Sequence, residues 1–318
     1  MNGLIRKYGA ILPVLLSAIA LLAFRQATGA PMTYTPVPSW TTPASTPPNS
    51  IVLRQDPASG LLLVSAWING KPCTLIVDTG TTHTVFDTQF IQRNFPGSPR
   101  SPICLQPGSN VISSPEAFAV GTLRLGESVQ RSFFAVVMDI SSLRSALGTP
   151  VDGILGMNSL GIAPFVISTS QGRLQWFPGS TPHPDGFLPI PCRKNSLGGI
   201  TISGNTGTRE LDFLIDSGAT FTSVPASCWP NGPTSLVIQE TADINSRISR
   251  TETRRRGTPL NICFGNALTL PGVEPVLTEN AIPCILGLDM LRQFDMLIDM
   301  RRGTIRIRPA PYAQKDHP

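Results

Sequence analysis

Apolar runs of four to eight residues, separated by turn-forming residues, recur along most of the chain. Leu61 to Ile68 and Ile200 to Ser203 have the length of β-strands, and each run ends at a turn signal, Asn69-Gly70 or Gly204-Asn205. Each signal is followed by a further apolar run, which is typical of a β-hairpin. The sequence therefore predicts an all-β chain with only short helices.

Two segments of the chain repeat the same succession of patterns. An apolar run leads into an Asp-hydroxyl-Gly triplet, Asp78-Thr79-Gly80 in the first copy and Asp216-Ser217-Gly218 in the second. An Ile-Leu-Gly motif follows later in each copy, at residues 154–156 and 285–287. One such triplet is a common turn, but two in matching contexts predict a duplicated domain.

The repeats divide the chain into four predicted segments. Residues 51–180 and 181–318 form two lobes, each large enough for its own core, and short helices are expected after the Ile-Leu-Gly motifs at Met157 to Ile162 and Leu288 to Gln293. Residues 1–30 are an export signal or a membrane anchor. Residues 31–50 are an uncharged linker rich in Pro, Thr and Ser, whose composition favours an extended spacer.

The order and duplication of these motifs resemble the aspartic protease clan, which includes the two-lobed pepsins and the retroviral-type retropepsins. The resemblance spans Ile51 to Pro309. It implies a two-lobed acid-protease fold made of two retropepsin-like β-barrels in one monomeric chain. It also implies a protein or peptide substrate, bound as an extended strand between lobes related by a pseudo-twofold axis.

The chemistry of paired carboxylates supports this interpretation. Two adjacent carboxylates that share one proton can take a proton from water and give one to an amide. Asp78 and Asp216 are therefore the candidate catalytic residues. The residues expected to shape and brace the two loops are Thr79, Gly80, Thr81, Ser217 and Gly218.

The two copies differ at one position that bears on the pKa values of the pair. Thr81 can donate a hydrogen bond to the first aspartate, whereas the corresponding residue in the second copy is Ala219. Loss of a donor to the charged form raises a pKa. We therefore expect maximal activity at about pH 5 to 7, less acidic than for a pepsin.

A second hypothesis keeps the fold without catalysis, as a peptide-binding or inhibitor-like protein. Pepsins carry a tyrosine on the hairpin flap that covers the cleft. The only tyrosines here are Tyr8, Tyr34 and Tyr312, so the flap must use other residues. By position alone, its candidates are residues 111–120 in the first copy and 239–258 in the second.

The N-terminus predicts export. Arg6 and Lys7 precede an apolar stretch from Ala10 to Phe24, which is typical of a signal peptide and shorter than the roughly 20 residues of a membrane span. We favour a cleaved signal over a retained anchor. The protein is then secreted or periplasmic, or tethered with its lobes outside the cytoplasm.

Cysteine and histidine usage favours disulfide bonds over a metal site. The six cysteines form an even set that fits an oxidising compartment, and fifteen pairings remain open. The sequence has no Cys-x-x-Cys motif and three histidines, so we expect no zinc and no other cofactor. His83 follows Asp78 closely and is interpreted as a loop residue, not a catalytic one.

A formal net charge of +5 raises the question of an acidic partner. Arginines cluster at 247–256 and at 301–308. Most such clusters are solvated faces, but the first would favour acidic substrate side chains or anionic lipid headgroups if it bordered the cleft. No stacking aromatics accompany the arginines, so nucleic-acid binding is not expected.

Overall fold

Strand pairing organises the whole described part of the chain. The computed structural model describes residues 40–41, 49–102, 115–177, 185–194, 199–230, 232–242, 249–279 and 283–310. The predicted signal or anchor, most of the predicted linker and the predicted boundary between lobes at residues 180 and 181 lie outside these ranges.

The strands of the first repeat, in chain order, are β1 (Trp40–Thr41), β2 (Asn49–Val52), β3 (Arg54–Gln55), β4 (Leu62–Ile68), β5 (Lys71–Val77), β6 (Val85–Asp87), β7 (Arg100–Pro102), β8 (Glu116–Leu125), β9 (Ser128–Met138), β10 (Gly153–Leu155), β11 (Phe165–Ser168) and β12 (Arg173–Trp176). Those of the second repeat are β13 (Leu188–Ile190), β14 (Cys192–Lys194), β15 (Ile200–Asn205), β16 (Glu210–Ile215), β17 (Ser223–Pro225), β18 (Pro233–Ala242), β19 (Ser249–Gly257), β20 (Leu260–Phe264), β21 (Leu268–Val273), β22 (Val276–Thr278), β23 (Cys284–Leu286), β24 (Phe294–Asp299) and β25 (Thr304–Pro309).

Each repeat builds a lobe around its own sheet. The first sheet runs in the order β1-β9-β6-β10-β5-β4-β8-β7, with β3 on β4 and a further pairing of β8 with β9. The second runs β18-β19-β22-β17-β23-β16-β15-β20-β21, with β14 on β15. In both lobes a short strand of the Ile-Leu-Gly motif lies parallel to the strand that leads into the aspartate. The prediction of an all-β, two-lobed fold is confirmed.

A third sheet joins the lobes, in the order β13-β25-β24-β11-β12-β2. Its centre is the antiparallel pairing of β11 with β24, in which Phe165 lies opposite Ile298. The hairpin partners β12 and β25 flank the central pair, and β2 and β13, which precede the two lobes in the chain, form the edges. The order is therefore symmetric about the centre, as the duplicated sequence leads one to expect.

The helices are short. They are α1 (Thr88–Asn94), α2 (Ser141–Ala146), α3 (Met157–Leu160) and α4 (Leu288–Leu291), with a 3-10 turn at Ala226–Cys228. Helices α3 and α4 begin at the predicted residues and end earlier than predicted. Pro164 lies shortly after the end of α3. Beyond α4, the Gln293 carbonyl accepts the N–H of Ala310, which follows β25. Within the described ranges, no helix has the length and apolarity needed to cross a membrane.

The first predicted hairpin turn is present and the second is displaced. Asn69 and Gly70 have φ of 45° and 82°, and they join β4 to β5, as a type I′ turn requires. In the second lobe Gly204 and Asn205 continue strand β15, and the turn lies at residues 206–209. The physical reason is twofold: Gly204 packs under Ile262 and Phe264, while Gly207, with φ of 86°, provides the left-handed turn position.

The described cysteines are thiols in the structure. Cys73, Cys192, Cys228, Cys263 and Cys284 are free, and Cys104 lies outside the described residues, so no pairing can be assigned to the predicted disulfides. Cys73 and Cys284 are buried in strands of the two lobes. Burial raises the pKa of each of these two thiols to about 12, so both are poor nucleophiles at neutral pH.

The displaced turn can be tested by comparing two glycines. Gly204→Ala should lower the free energy of unfolding by about 1 to 3 kcal/mol, because its Cβ would lie 2.6 Å from Ile262 Cγ2 in a packed core. Gly207→Asn should cost less than about 1 kcal/mol, since asparagine tolerates positive φ and no atom lies within 4 Å of the added Cβ. Urea denaturation measures both. A larger cost at Gly207 than at Gly204 would contradict the observed register.

Candidate active site

Each candidate aspartate stands directly after the strand that leads to it. Strand β5 ends at Val77 and β16 at Ile215, and β10 and β23 lie parallel to them. The backbone N–H of Asp78 donates to the Leu155 carbonyl at 3.1 Å, and that of Asp216 donates to the Leu286 carbonyl at 3.1 Å. The two Ile-Leu-Gly motifs thus fix the start of both loops in the same way.

The two loops exchange hydrogen bonds across the lobe interface. The Thr79 N–H donates to Ser217 Oγ at 3.1 Å, and the Ser217 N–H donates to Thr79 Oγ1 at 3.0 Å. Each hydroxyl in turn donates to the strand before the opposite aspartate, Thr79 to the Ile215 carbonyl at 2.9 Å and Ser217 to the Val77 carbonyl at 2.8 Å. These four bonds hold the loops in one symmetric arrangement.

Glycine at the third triplet position lets the two carboxyl groups approach. A Cβ added to Gly80 would overlap the carboxyl group of Asp216, and one added to Gly218 would lie 2.5 Å from the carboxyl carbon of Asp78. Both aspartates have 0% exposed surface. Each carboxyl group therefore packs against the backbone of the other loop, and any side chain there would separate the pair.

The carboxyl group of Asp78 is well supplied with donors. Its Oδ1 accepts the N–H groups of Gly80 at 2.8 Å and Thr81 at 3.0 Å, and its Oδ2 accepts the Thr81 hydroxyl at 2.5 Å. Burial raises its pKa, while these donors and a hydrogen bond from Asp216 act in the opposite direction. Asp78 is therefore the member of the pair better suited to carry the negative charge.

Asp216 has fewer donors and the more strongly raised pKa. Its Oδ1 accepts the Gly218 N–H at 2.9 Å, but within the described chain no N–H or hydroxyl donates to its buried Oδ2. Burial, the charge of Asp78 and the hydrogen bond to Asp78 all raise its pKa well above the usual range. The smaller number of donors and the more strongly raised pKa favour Asp216 as the group that holds the shared proton.

A second pair of contacts, which the sequence analysis missed, supports each loop from behind. Asn158 Oδ1 accepts both the N–H and the hydroxyl of Thr84, at 2.7 and 2.9 Å. Asp289 Oδ1 accepts the same two groups of Thr222, both at 2.8 Å. The repeat contains the signal, because each threonine stands six residues after its aspartate and each acceptor two residues after the glycine of Ile-Leu-Gly.

The other sequence-based candidates lie around the pair. His83 is half-buried, and its Nδ1 lies 2.9 Å from the Thr82 hydroxyl. Burial lowers its pKa to about 4, so the ring is neutral at pH 5 to 7. The first flap candidate lies partly outside the described residues and otherwise in β8. The second corresponds to the hairpin of β18 and β19, whose residues 243–248 are also outside.

Comparison with known proteins agrees with this geometry. Residues 64–159, which include Asp78 and the first Ile-Leu-Gly motif, match the family model described as aspartyl protease. This segment of the chain is therefore similar to the aspartyl proteases. The match lies in the first lobe, and the second lobe repeats the order of its central strands, its triplet and its parallel Ile-Leu-Gly strand.

Two further comparisons concern the whole chain. It is similar to the crystal structure of Basic 7S globulin from soybean, with 14% identity and a TM-score of 0.49 over 85% of this chain and 99% of the globulin. A search of curated protein sequences finds no match.

The raised pKa of Asp216 predicts a pH-dependent stability effect. Below the ordinary aspartate pKa of 3.8, the group is protonated in both the folded and the unfolded chain. As the pH rises, the unfolded chain ionises first and folding loses stability until the pH passes the folded pKa. Asp216→Asn, which keeps an acceptor for the Gly218 N–H, should therefore raise the free energy of unfolding at pH 7 and leave it nearly unchanged at pH 3.

Urea denaturation of both proteins across this pH range measures the effect. The control is Asp185→Asn at an exposed position, which should show no comparable pH-dependent gain. An Asp216→Asn difference that is constant from pH 3 to pH 7 would contradict the assignment of the proton.

Proposed function

We propose that the protein is an aspartic endopeptidase that hydrolyses peptide bonds with a water molecule activated between Asp78 and Asp216. The observation that carries the proposal is the pair of fully buried carboxyl groups, one rich in donors and one poor in them. Such a pair shares one proton. One group can then act as general base while the other acts as general acid.

The two groups differ in the step each is prepared to perform. The Asp78 carboxylate takes a proton from water as the water oxygen bonds to the peptide carbonyl carbon, and Asp216 gives its proton to the carbonyl oxygen. The tetrahedral intermediate then loses the amine: its nitrogen receives the proton held by Asp78, the C–N bond breaks, and a hydroxyl proton returns to Asp216. The pair ends the cycle with one proton, as it began.

The substrate is expected to be an extended segment of protein or peptide with apolar residues beside the cleaved bond. A cleft between two β-lobes accommodates a strand, and strand recognition by main-chain hydrogen bonds is a recurring mode of peptide binding. Since one chain supplies both aspartates, we propose a monomer. The N-terminus, in which basic residues precede an apolar stretch, supports the proposal that the protein is exported.

Replacement of either aspartate tests the catalytic role. Asp78→Asn or Asp216→Asn should lower kcat/KM by at least about 100-fold, the lower end of general acid–base contributions, because the amide cannot exchange the required proton. Cleavage of a mixed peptide library between pH 3 and 8 provides the measurement.

Folded protein that cleaves no peptide at any pH would favour the catalytically silent, peptide-binding alternative. Circular dichroism should first show that both variants remain folded. The conservative change Asp185→Asn, on the exposed surface, serves as the control and should retain cleavage.

The difference between Thr81 and Ala219 predicts the position of the pH optimum. Ala219→Thr would place a hydroxyl near Asp216 that corresponds to the one Thr81 donates to Asp78. One charge-assisted hydrogen bond corresponds to about one pKa unit. The optimum should move from about pH 5 to 7 toward lower pH by about one unit. A wild-type optimum near pH 2, or an unchanged optimum in the variant, would contradict this mechanism.

A further inference from the structure

Each catalytic loop has one residue that is not fully buried. From Leu75 to Asp87 every residue is buried except His83, and from Phe213 to Pro225 every residue is buried except Phe221. These two residues occupy equivalent positions, five residues after Asp78 and Asp216 respectively. They are the two positions of these loops that keep partial exposure, and their side chains differ in chemistry.

Phe221 carries a cation on its ring. The Cζ atom of Arg256 lies 5.4 Å from the centroid of the ring, within the range of a cation–π interaction. One guanidinium nitrogen, Nη1, donates to the Glu274 carbonyl at 3.0 Å. The arginine is thus held from both sides, by an aromatic face and by a backbone acceptor.

The strand pairing explains why Arg256 reaches this loop. Arg256 of β19 lies opposite Val276 of β22, and Val276 also lies opposite Ser223 of β17. Ser223 is two residues beyond Phe221, so the arginine stands two strands away from the catalytic loop, about 10 Å. The arginine side chain covers part of that distance, and the Phe221 ring covers the rest, which leaves 5.4 Å between Arg256 Cζ and the ring centroid. Strand β19 belongs to the hairpin that was the second flap candidate.

Asp289 is a carboxyl group near Arg256 in the described part of the chain, and no ion pair joins the two. No ion pair with Arg256 occurs among the described residues. The neighbouring Asp289 uses its Oδ1 to accept three donors, from Thr222 and Met290. Burial raises the pKa of Asp289, and the positive charge of Arg256 acts in the opposite direction.

The first lobe has no cation at the equivalent place. His83 is neutral at the proposed working pH, because burial holds its pKa at about 4. By strand register, the position that matches Arg256 is Ala117, which lies opposite Val136 of β9 as Arg256 lies opposite Val276. The positive charge is therefore confined to one side of the pseudo-twofold axis.

We propose, on the basis of the function inferred above, that Arg256 on Phe221 forms a cationic subsite that selects substrates with an Asp or Glu side chain at one position. A guanidinium can hold a carboxylate through two parallel N–H donors. Because the subsite lies on the second lobe only, it distinguishes the two directions in which a strand could enter the cleft. It thereby fixes which end of the substrate lies over Asp216.

Binding to a proteolytically disabled chain tests the subsite independently of cleavage. The full chain with Asp216→Asn is titrated with fluorescent extended peptides in which each position in turn carries Glu or its neutral isostere Gln. At one position Glu should bind about 10-fold more tightly, the equivalent of one charge-assisted contact. Adding Arg256→Gln should reduce that ratio to within about twofold of one, and high salt should weaken the preference.

Arg255 provides the matched control. It is exposed, and because it directly precedes Arg256 in the strand, its side chain points to the opposite face of the sheet. Arg255→Gln makes the same change in net charge and should keep the Glu-to-Gln ratio. Arg256→Lys keeps the charge but not the planar fork, and it should retain part of the preference.

The outcomes separate the subsite from the enzyme. A ratio near one at every position, an equal loss in Arg255→Gln, or no binding of any peptide would overturn the subsite. Cleavage by the unmodified chain is measured with the same peptides. Cleavage without a charge preference removes the subsite and keeps the endopeptidase, whereas a charge preference in binding without cleavage keeps the subsite and removes the endopeptidase.

Discussion

Two carboxyl groups buried against each other cannot both carry a charge, and the arrangement of the two lobes follows from that constraint. Asp78 and Asp216 have no exposed surface, so bulk solvent does not screen their charges from each other. The protein must hold one proton between them, and that requires a fixed geometry. The exchanged bonds of Thr79 and Ser217, at 3.0 and 3.1 Å, provide it from within the loops.

The surrounding strands hold this geometry in place from outside. The central pairing of β11 with β24 joins the lobes, and the acceptors Asn158 and Asp289 fix the far ends of the loops through Thr84 and Thr222. Buried polar groups are costly unless they are hydrogen-bonded. The loops are therefore specified by satisfied polar contacts as much as by the apolar core, which explains why small hydroxyl and glycine residues recur there.

Much of this arrangement could be predicted from the sequence, because a duplicated pattern makes each copy a check on the other. The strands that lead into both aspartates, the Ile-Leu-Gly strands and the starts of α3 and α4 could all be located in this way. The turn after β15 could not. Gly204 and Asn205 form a turn signal in isolation, but packing under Ile262 and Phe264 keeps Gly204 in the strand. Local preference was overruled by a contact with residues almost 60 positions away.

The differences between the copies matter more for function than the likeness. Thr81 and Ala219, Asn158 and Asp289, and His83 and Phe221 occupy matching positions. In a symmetric pair the shared proton would be equally stable on either aspartate. Here the hydroxyl of Thr81 donates to Asp78 and favours the negative charge on that residue. The half-buried positions His83 and Phe221 also differ between the copies, so the two loops present different side chains there. A duplicated chain can alter one copy alone, as a homodimer cannot, and here the altered residues lie in the two catalytic loops and among the residues that support them.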